Sequence, residues 1–329
     1  LLKFSAEIRW TNLAQDIMKK EKTDVQKIVI DSGEAFNKLK ECKLVLTDDN
    51  LYPLYKDKLP ECFVIPAGEK SKTLDSAKEI LNEMAYRGIK RSDCVGAFGG
   101  GVVGDLLGFA ASIYMRGIRW INVPTSLLAM ADSSIGGKNA VNLGDIKNAI
   151  GTFHLSETYI ETSFLDTLPE AEYESGMGEI IKTSCLDPTL FDMMQAGADI
   201  KQLISRCVTI KNNICDNDFM DKGVRRCLNI GHTVGHAIEL VTGLKHGVCV
   251  TIGLKLETLM MRERISEPFF YELQVRLSRF IKDVEKITEI AMHDKKNDSG
   301  IDVIFPVDVG KYEEVTLSKE EFAQRLKNI

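Results

Sequence analysis

Short apolar runs rich in β-branched residues recur along the first half of the chain and alternate with helix-like segments. The runs are KIVIDSG, KLVLTDDN, CFVIPAG, CVGAFGGG and RWINVPT, and SKTLDSAKEILNEMAYRGI is a typical helical segment between them. Nearly continuous apolar strands are typical of a parallel sheet with helices on both faces. The pattern therefore predicts a Rossmann-like α/β domain that binds a nucleotide.

The pattern changes after about Leu168, where β-rich runs largely disappear. Apolar residues then recur with the helical period of about 3.6 residues, as in LFDMMQAGADIKQLISRCVTIKNNI and GVCVTIGLKLETLMMRERI. Pro169 terminates any helix or strand that precedes it, and proline is favoured in the first turn of a helix. We therefore predict an α/β domain over residues 1–168 and a mostly α-helical domain over residues 169–329.

Length and composition fit a two-domain enzyme with a cleft. The 329 residues exceed what one hydrophobic core usually fills. Hydrophobic residues make up 44% and charged residues 27%, which is ordinary globular usage. The net charge of -6 argues against a broad basic surface for nucleic acid, so we expect a small-molecule ligand instead.

Cysteine usage and hydropathy indicate the compartment. The eight cysteines are scattered and form no CxxC pair, which favours reduced, mostly buried thiols. No window approaches about 18 consecutive apolar residues, and the first residues lack the layout of a signal peptide. We expect a cytoplasmic protein that makes no membrane contact.

A glycine-rich segment, GGGVVGD, follows the apolar run CVGAF at residues 99–105. Missing side chains let backbone N–H groups approach a pyrophosphate closely. The segment satisfies GxGxxG, but no acidic residue stands about 20 positions further on to take a ribose hydroxyl. The motif alone leaves two interpretations open, a phosphate-binding loop and a glycine turn that only reverses the chain.

Three of the five histidines, His232, His236 and His246, lie within GHTVGHAIELVTGLKHG. His232 and His236 are four residues apart and share one face of a predicted helix, which Asn229 and Arg225 extend. The alternative is a solvated polar face, but apolar residues dominate the rest of this helix and favour burial. Buried polar groups need partners, so the spacing predicts that these side chains meet a ligand or one another.

Glu179 and Lys182, in SGMGEIIKTS, are three residues apart on a helix that we expect to open the second domain. A carboxylate beside two histidines can bind a zinc-like ion and leave open positions for a substrate. An ordinary surface pair is the alternative, and the histidines favour the metal site.

Basic residues stand in several of the remaining motifs. They are Lys138, Lys147, Lys211, Arg225 and the pair Lys295–Lys296. If they converged in a cleft, they would repel one another and lose solvation unless an anion joined them. Such a ligand would carry a phosphate, a carboxylate or both.

A series of motifs along most of the chain resembles the 3-dehydroquinate synthase family. The motifs are GGGVVGDLLGFAASIYMRG, VPTSLLAMADSSIGGKNAVN, KNAIGTFH, DTLPEAEYESGMGEIIK, RRCLNIGHTVGHAIE and HDKKN, in the family's order. The resemblance implies an NAD-binding α/β domain, a helical metal domain, an active site between them and a homodimer.

The resemblance also implies roles for individual residues. Glu179, His232 and His246 would bind one divalent ion, zinc or cobalt, and His236 would face the substrate and transfer a proton. The residues implied for NAD are Asp48, Glu69, Lys72, Gly100, Gly101, Val102, Val103, Gly104, Asp105, Thr125, Ser126, Lys138, Lys147, Leu165, Asp166, Thr167 and Leu168. Those implied for the substrate phosphate are Lys138, Asn148, Asn229, Lys296 and Arg116 of the other subunit. Lys211 and Arg225 would hold the carboxylate, and Asp132, Lys147 and Lys182 would face the sugar hydroxyls or the nicotinamide.

The implied reaction converts 3-deoxy-D-arabino-heptulosonate 7-phosphate into 3-dehydroquinate and phosphate, with NAD regenerated in every turnover. Two enzyme alternatives are another sugar-phosphate cyclase, such as a 2-deoxy-scyllo-inosose synthase, and a metal-dependent glycerol or alcohol dehydrogenase. The dehydrogenases lead one to expect PT-x-x-GTGSE where this chain has PTSLLAMADSS. A binding module without catalysis is the non-enzyme alternative, which the retained cations disfavour. The chain departs from the family at Val248, where glutamate is usual, and at Thr125–Ser126, where a threonine pair is usual.

Overall fold

The computed structural model describes residues 26–144, 146–278 and 300–329. Lys296, which the resemblance assigns to the substrate phosphate, lies outside the described residues, and so does Lys295. The other residues singled out above lie within them.

A six-stranded parallel sheet forms the N-terminal half of the fold. In space its strands follow the order β1-β8-β5-β4-β2-β3, and each neighbouring pair runs parallel. The five apolar runs each form one of the first five strands, as predicted. The strands of this half are β1 (Ile28–Ile30), β2 (Leu44–Asp48), β3 (Cys62–Ile65), β4 (Cys94–Gly99), β5 (Arg119–Pro124), β6 (Lys138–Leu143), β7 (Ile146–Phe153) and β8 (Glu157–Ile160).

The strand order reverses beside β4, which places a crevice at one edge of the sheet. The chain passes from β2 to β3 in one direction, and from β4 through β5 to β8 in the other. Asp48 ends β2 and Gly99 ends β4, so both carboxyl ends lie at this reversal. In open α/β sheets, ligands bind in the crevice at such a switch point.

Helices cover the sheet and begin where the sequence supplies caps. The predicted helical segment forms α3, whose N-cap Thr73 accepts a hydrogen bond from the main-chain nitrogen of Ser76. Its buried residues Ala77, Ile80 and Met84 follow the helical spacing. Over residues 26–168, the described α-helices are α1 (Ala35–Lys40), α2 (Tyr52–Tyr55), α3 (Leu74–Tyr86) and α4 (Gly101–Ile113).

The C-terminal half is mainly helical, as the 3.6-residue period predicts. Its first helix begins directly after Pro169, although the domain boundary at 168/169 stays a prediction. A capping box at Asp199 and Gln202 starts the longest of these helices. The helices are α5 (Glu170–Ser184), α6 (Pro188–Gln195), α7 (Ile200–Asn217), α8 (His232–Thr242), α9 (His246–Met260), α10 (Glu267–Ser278) and α11 (Lys319–Lys327).

Two antiparallel hairpins among the described residues depart from the predicted order of an α/β domain followed by a helical domain. Strands β6 and β7 pair with each other apart from the main sheet. The second hairpin, β9 (Ile301–Asp308) with β10 (Lys311–Leu317), was not predicted. It belongs to the C-terminal core because Val303, Phe305 and Leu317 are buried in the same cluster as residues of α8 and α9.

Two smaller expectations can be compared with the fold. All eight cysteines are free and six of them are buried, as their spacing predicts. Among the described residues, none of the helices combines the length and the apolar character that crossing a bilayer requires.

Candidate active site

A close contact between α5 and α9 brings Glu179 and His246 together. A Cβ atom on Gly178 would lie 2.1 Å from the carbonyl oxygen of Gly247, so this approach requires glycine at position 178. Each glycine is next in sequence to a predicted metal ligand. As a result, Nε2 of His246 lies 3.3 Å from Oε1 of Glu179.

The start of α8 differs from the single helical face that the sequence suggested. Arg225 and Asn229 lie on a separate 3₁₀ helix, Val224–Asn229, and α8 begins only at His232. The break occurs at Gly231, whose φ of 77° lies in the left-handed region. A Cβ atom there would lie 2.7 Å from the carbonyl oxygen of Val250, so the close packing of α8 on α9 requires this glycine. The prediction of one continuous polar stripe was wrong.

The three histidines converge all the same. The ring centroids of His232 and His236 are 5.0 Å apart, and His246 lies 5.3 Å and 5.6 Å from them. One ring nitrogen from each lies within 4.8 Å of the others, which is a spacing that a single metal ion can bridge.

Hydrogen bonds orient two of these rings. Nδ1 of His232 lies 3.1 Å from the carbonyl oxygen of Ile230, and a carbonyl only accepts, so Nδ1 carries the proton. Nδ1 of His246 similarly lies 3.1 Å from the carboxylate of Glu239. Both arrangements leave Nε2 available to a metal, which is the usual way in which ligating histidines are fixed.

Glu179 supplies the test of whether a divalent ion fits here. Its side chain is 1% exposed, and neither oxygen accepts a hydrogen bond from the described residues, although Nζ of Lys182 lies 2.6 Å from one of them. A buried carboxylate with unused lone pairs, facing histidine nitrogens, has the donor chemistry of a zinc or cobalt site. The residues present therefore fit the metal.

The electrostatics keep Glu179 and His232 in the protonation states of metal ligands, whereas His246 releases a proton when it binds a metal. Burial alone would raise the pKa of Glu179, but Lys182, His246 and His232 hold it well below its usual range. Burial lowers the pKa of His232 to about 3, so this imidazole is neutral at physiological pH. Burial opposes protonation of His246 as well, but Glu179 and Glu239 raise its pKa to about 10.

Acidic side chains form ion pairs with the predicted substrate-binding lysines. Asp132 lies 2.9 Å from Nζ of Lys211 and 3.6 Å from Nζ of Lys182. Lys138 forms an ion pair with Asp221. The expected crowding of cations is thus relieved by carboxylates of the chain itself.

Arg225 is buried beside a glycine turn close to these cations. It donates a 2.8 Å hydrogen bond to the carbonyl oxygen of Phe219. A Cβ atom on Gly136 would lie 2.6 Å from the guanidinium and 2.4 Å from Sγ of Cys215, so the turn lies directly against both. Burial raises the pKa of the Cys215 thiol, and Lys211 and Arg225 both lower it, which places the two cations near one thiol.

The glycine loop begins α4, and no described side chain caps that helix. Gly100 and Gly101 face small hydroxyl side chains, because added Cβ atoms would lie 3.3 Å from Oγ of Ser126 and 3.2 Å from Oγ of Ser133. Free N–H groups at a glycine-lined helix start suit a pyrophosphate. This cradle therefore fits NAD.

A network of polar side chains borders the loop. Nζ of Lys72 lies 2.5 Å from the carboxylate of Asp105 and donates a hydrogen bond to Oδ1 of Asn148. Glu69 accepts a hydrogen bond from Asn142 on β6. Asn148, which the resemblance assigns to the phosphate, thus lies beside the predicted NAD residues in this structure.

The other predicted residues lie in several elements of the fold. Asp48 is the last residue of β2, Thr125 directly follows β5, and Val102, Val103 and Gly104 lie in the first turn of α4. Leu165, Asp166, Thr167 and Leu168 lie in or directly after the 3₁₀ helix Thr162–Thr167, where the Thr167 hydroxyl is 2.9 Å from that of Tyr55. Asn229 is exposed just before α8, Lys147 lies on β7, and Arg116 is exposed in a 3₁₀ turn after α4.

Three carboxylates of the site were missed from sequence. Asp221 pairs with Lys138, Glu239 bonds both His246 and Lys147, and Glu257 is fully buried against the start of α8. Glu239 carried a usable signal, because it lies three residues after His236 and therefore on the same helical face. The other two pair with groups distant in sequence.

Comparisons with known proteins agree with this geometry. A profile of the 3-dehydroquinate synthase N-terminal domain matches residues 62–175, and one of the C-terminal domain matches residues 176–297. The chain belongs to the 3-dehydroquinate synthase family. A 3-dehydroquinate synthase from Thermoanaerobacter sp. (strain X514) is 38% identical to it, over 86% of this chain and 89% of that protein.

Solved structures share the fold of this member of the 3-dehydroquinate synthase family. A 2-epi-5-epi-valiolone synthase from Streptomyces hygroscopicus subsp. jinggangensis 5008, with NAD⁺ and Zn²⁺ bound, superimposes with a TM-score of 0.80 at 24% identity. A 2-deoxy-scyllo-inosose synthase complexed with carbaglucose-6-phosphate, NAD⁺ and Co²⁺ gives 0.75 at 22%. Each match covers 92% of this chain and 96% of the other. The predicted α/β domain followed by a helical domain is thereby confirmed.

Proposed function

We propose that the chain is a 3-dehydroquinate synthase that converts 3-deoxy-D-arabino-heptulosonate 7-phosphate into 3-dehydroquinate and inorganic phosphate. One observation supports this most strongly: buried Glu179 converges with three histidines beside lysine–carboxylate pairs. Glu179, His232 and His246 would hold the divalent ion, and the glycine loop before α4 would hold NAD. The bound metal would supply Lewis-acid polarisation, and the bound NAD would supply a reversible hydride acceptor.

His236 is the candidate for proton transfer. His236 is more exposed to solvent than Glu179, and its ring lies beside both histidine ligands. Burial around its ring nitrogens and the nearby His246 lower its pKa, so the imidazole is neutral near pH 7. A neutral imidazole at this place can accept a proton from a substrate hydroxyl and later return it.

The cations would hold the two anionic ends of the substrate. Lys211 and Arg225 would bind the carboxylate, and Lys138 the phosphate. Ion pairs with Asp132 and Asp221 orient Lys211 and Lys138 before substrate arrives. Lys182, Lys147 and Asp132 would face the hydroxyls. The phosphate would also meet Asn148, Asn229, Lys296 and Arg116 of a second copy. Holding both ends orients a single substrate through several steps at one site.

The homodimer and the cytoplasmic location belong to this proposal. The exposed position of Arg116 after α4 is compatible with a role across a subunit interface. Eight free cysteines suit a reducing compartment.

The other cyclases of this fold are the second candidate, and the substrate carboxylate separates them. We expect phosphate release from the heptulosonate 7-phosphate and none from glucose 6-phosphate, which lacks a carboxylate. Lys211→Met should raise KM for the heptulosonate, since it removes one carboxylate partner. Preference for glucose 6-phosphate, or a wild-type KM in Lys211→Met, would contradict the assignment.

A further inference from the structure

Glu239 connects the metal site to the N-terminal half of the molecule. One carboxylate oxygen lies 3.1 Å from Nδ1 of His246, and the other lies 2.7 Å from Nζ of Lys147. Glu239 is on α8, His246 begins α9, and Lys147 is on β7 of the N-terminal hairpin. A single side chain therefore bridges a predicted metal ligand and a residue from the other half of the fold.

The contact to His246 has the geometry of a positioning interaction. Because Nδ1 faces Glu239, Nε2 faces Glu179 and the metal site. A carboxylate that accepts the Nδ1 proton fixes the ring orientation and makes Nε2 a better electron donor. Val248, two residues after His246, packs its apolar side chain against the C-terminal core and offers no such acceptor.

The contact to Lys147 holds the carboxylate in place. Only 11% of the Glu239 side chain is exposed, so burial restricts its rotamers. Lys147 is 42% exposed and contacts the carboxylate oxygen of Glu239 that does not face His246. Glu239 thus has two directional partners, and each uses a different oxygen.

We propose that Glu239 positions the metal ligand His246, and that Lys147 steadies Glu239, so that metal affinity depends on a residue of the NAD-binding half. This rests on the proposed function only in taking His246 as a metal ligand. It adds a positioning role for Glu239 and gives Lys147 a role at the metal in addition to any contact with NAD or substrate.

The test measures Co²⁺ affinity of the full chain by competition with a chelator, together with the visible absorption of the bound Co²⁺. Glu239→Gln keeps the size of the side chain but removes the charge, and we expect affinity to fall by roughly 10- to 100-fold and the spectrum to shift. Lys147→Met should lower affinity by about 3- to 10-fold. In the Glu239→Gln background the same change should have no further effect, since Lys147 acts through Glu239.

A second ion pair next to the site provides matched controls. Lys245 directly precedes His246 and lies 2.5 Å from Glu172, and both side chains are exposed. Glu172→Gln and Lys245→Met make the same charge changes and should leave Co²⁺ affinity within about threefold, because surface pairs contribute little.

The outcomes separate the possible roles of Glu239. Wild-type affinity in Glu239→Gln would show that Glu239 only packs, and would overturn the proposal. An undiminished effect of Lys147→Met in the Glu239→Gln background would overturn the link through Glu239. Because the readout is metal binding without substrate, the expected pattern can hold even if phosphate release is absent, which would count against the proposed function alone.

Discussion

The main-chain nitrogen of Gly231 donates a 2.8 Å hydrogen bond to the side chain of Glu257, which is fully buried on a different helix. The other carboxylate oxygen accepts from the main-chain nitrogen of Val234. Gly231 has no side chain with which to cap α8, so α9 supplies the cap instead. His232 directly follows Gly231, so this contact fixes the backbone position of a predicted metal ligand.

Replacing Glu257 with alanine should destabilise the chain and weaken the metal site. The change leaves two buried N–H groups without acceptors, and each costs about 1–3 kcal/mol. We expect a lower free energy of unfolding in urea and a lower Co²⁺ affinity. Glu174→Ala, an exposed change on α5, is the control and should alter neither. Equal stability of the two variants would show that the cap contributes nothing.

Stability should also depend on pH through Glu257. Burial raises its pKa from 4.5 to about 8, although hydrogen bonds from Val234, Gly231 and Thr233 oppose the rise. The folded chain therefore binds more protons here than the unfolded chain between those pH values, and its free energy of unfolding falls as pH increases. Glu257→Gln cannot titrate. We expect the stability difference, wild type minus Glu257→Gln, to decrease from pH 5 to pH 8, and a constant difference would contradict this.

Gly178→Ala should separate α5 from α9. The added methyl would lie 2.1 Å from the carbonyl oxygen of Gly247 and 2.7 Å from Oγ1 of Thr251, and backbone at that distance must move. Glu179 and His246 would then move apart. We expect at least a tenfold loss of Zn²⁺ affinity in a chelator competition, with NAD affinity little changed because the glycine loop is untouched. Retained Zn²⁺ affinity would show that the glycine contact does not position the ligands.

Much of the fold could be predicted from local pattern. The five apolar runs form β1 to β5, and the central strands β2, β4 and β5 are buried on both faces, where a short β-branched stretch is a sufficient signal. The segment SKTLDSAKEILNEMAYRGI was predicted to be helical and forms α3, and the structure adds the Thr73 cap. By contrast, β9 and β10 were not predicted, because two short strands give a weak sequence pattern next to mostly helical segments. Their apolar residues are buried through contacts with α8 and α9.

The candidate site was only partly visible in the sequence. The spacing of His232 and His236 indicated a shared face, but it also extended that face across Gly231, where a left-handed backbone ends the helix. The residues indicated Glu179 and the three histidines as candidates, and the family resemblance chose His246 rather than His236 as the ligand that joins Glu179 and His232. Glu257 could not be found this way, because its role depends on the distance between two helices.

The proposed reaction is a redox cycle with no net oxidation, in which the chain releases phosphate. The most direct measurement follows inorganic phosphate and NADH together, with the heptulosonate 7-phosphate, catalytic NAD and a divalent metal. We predict phosphate release that requires both NAD and metal, no net NADH, and loss of activity in His232→Ala. Net NADH without phosphate would indicate a dehydrogenase, and phosphate release that persists without NAD would contradict the proposed chemistry.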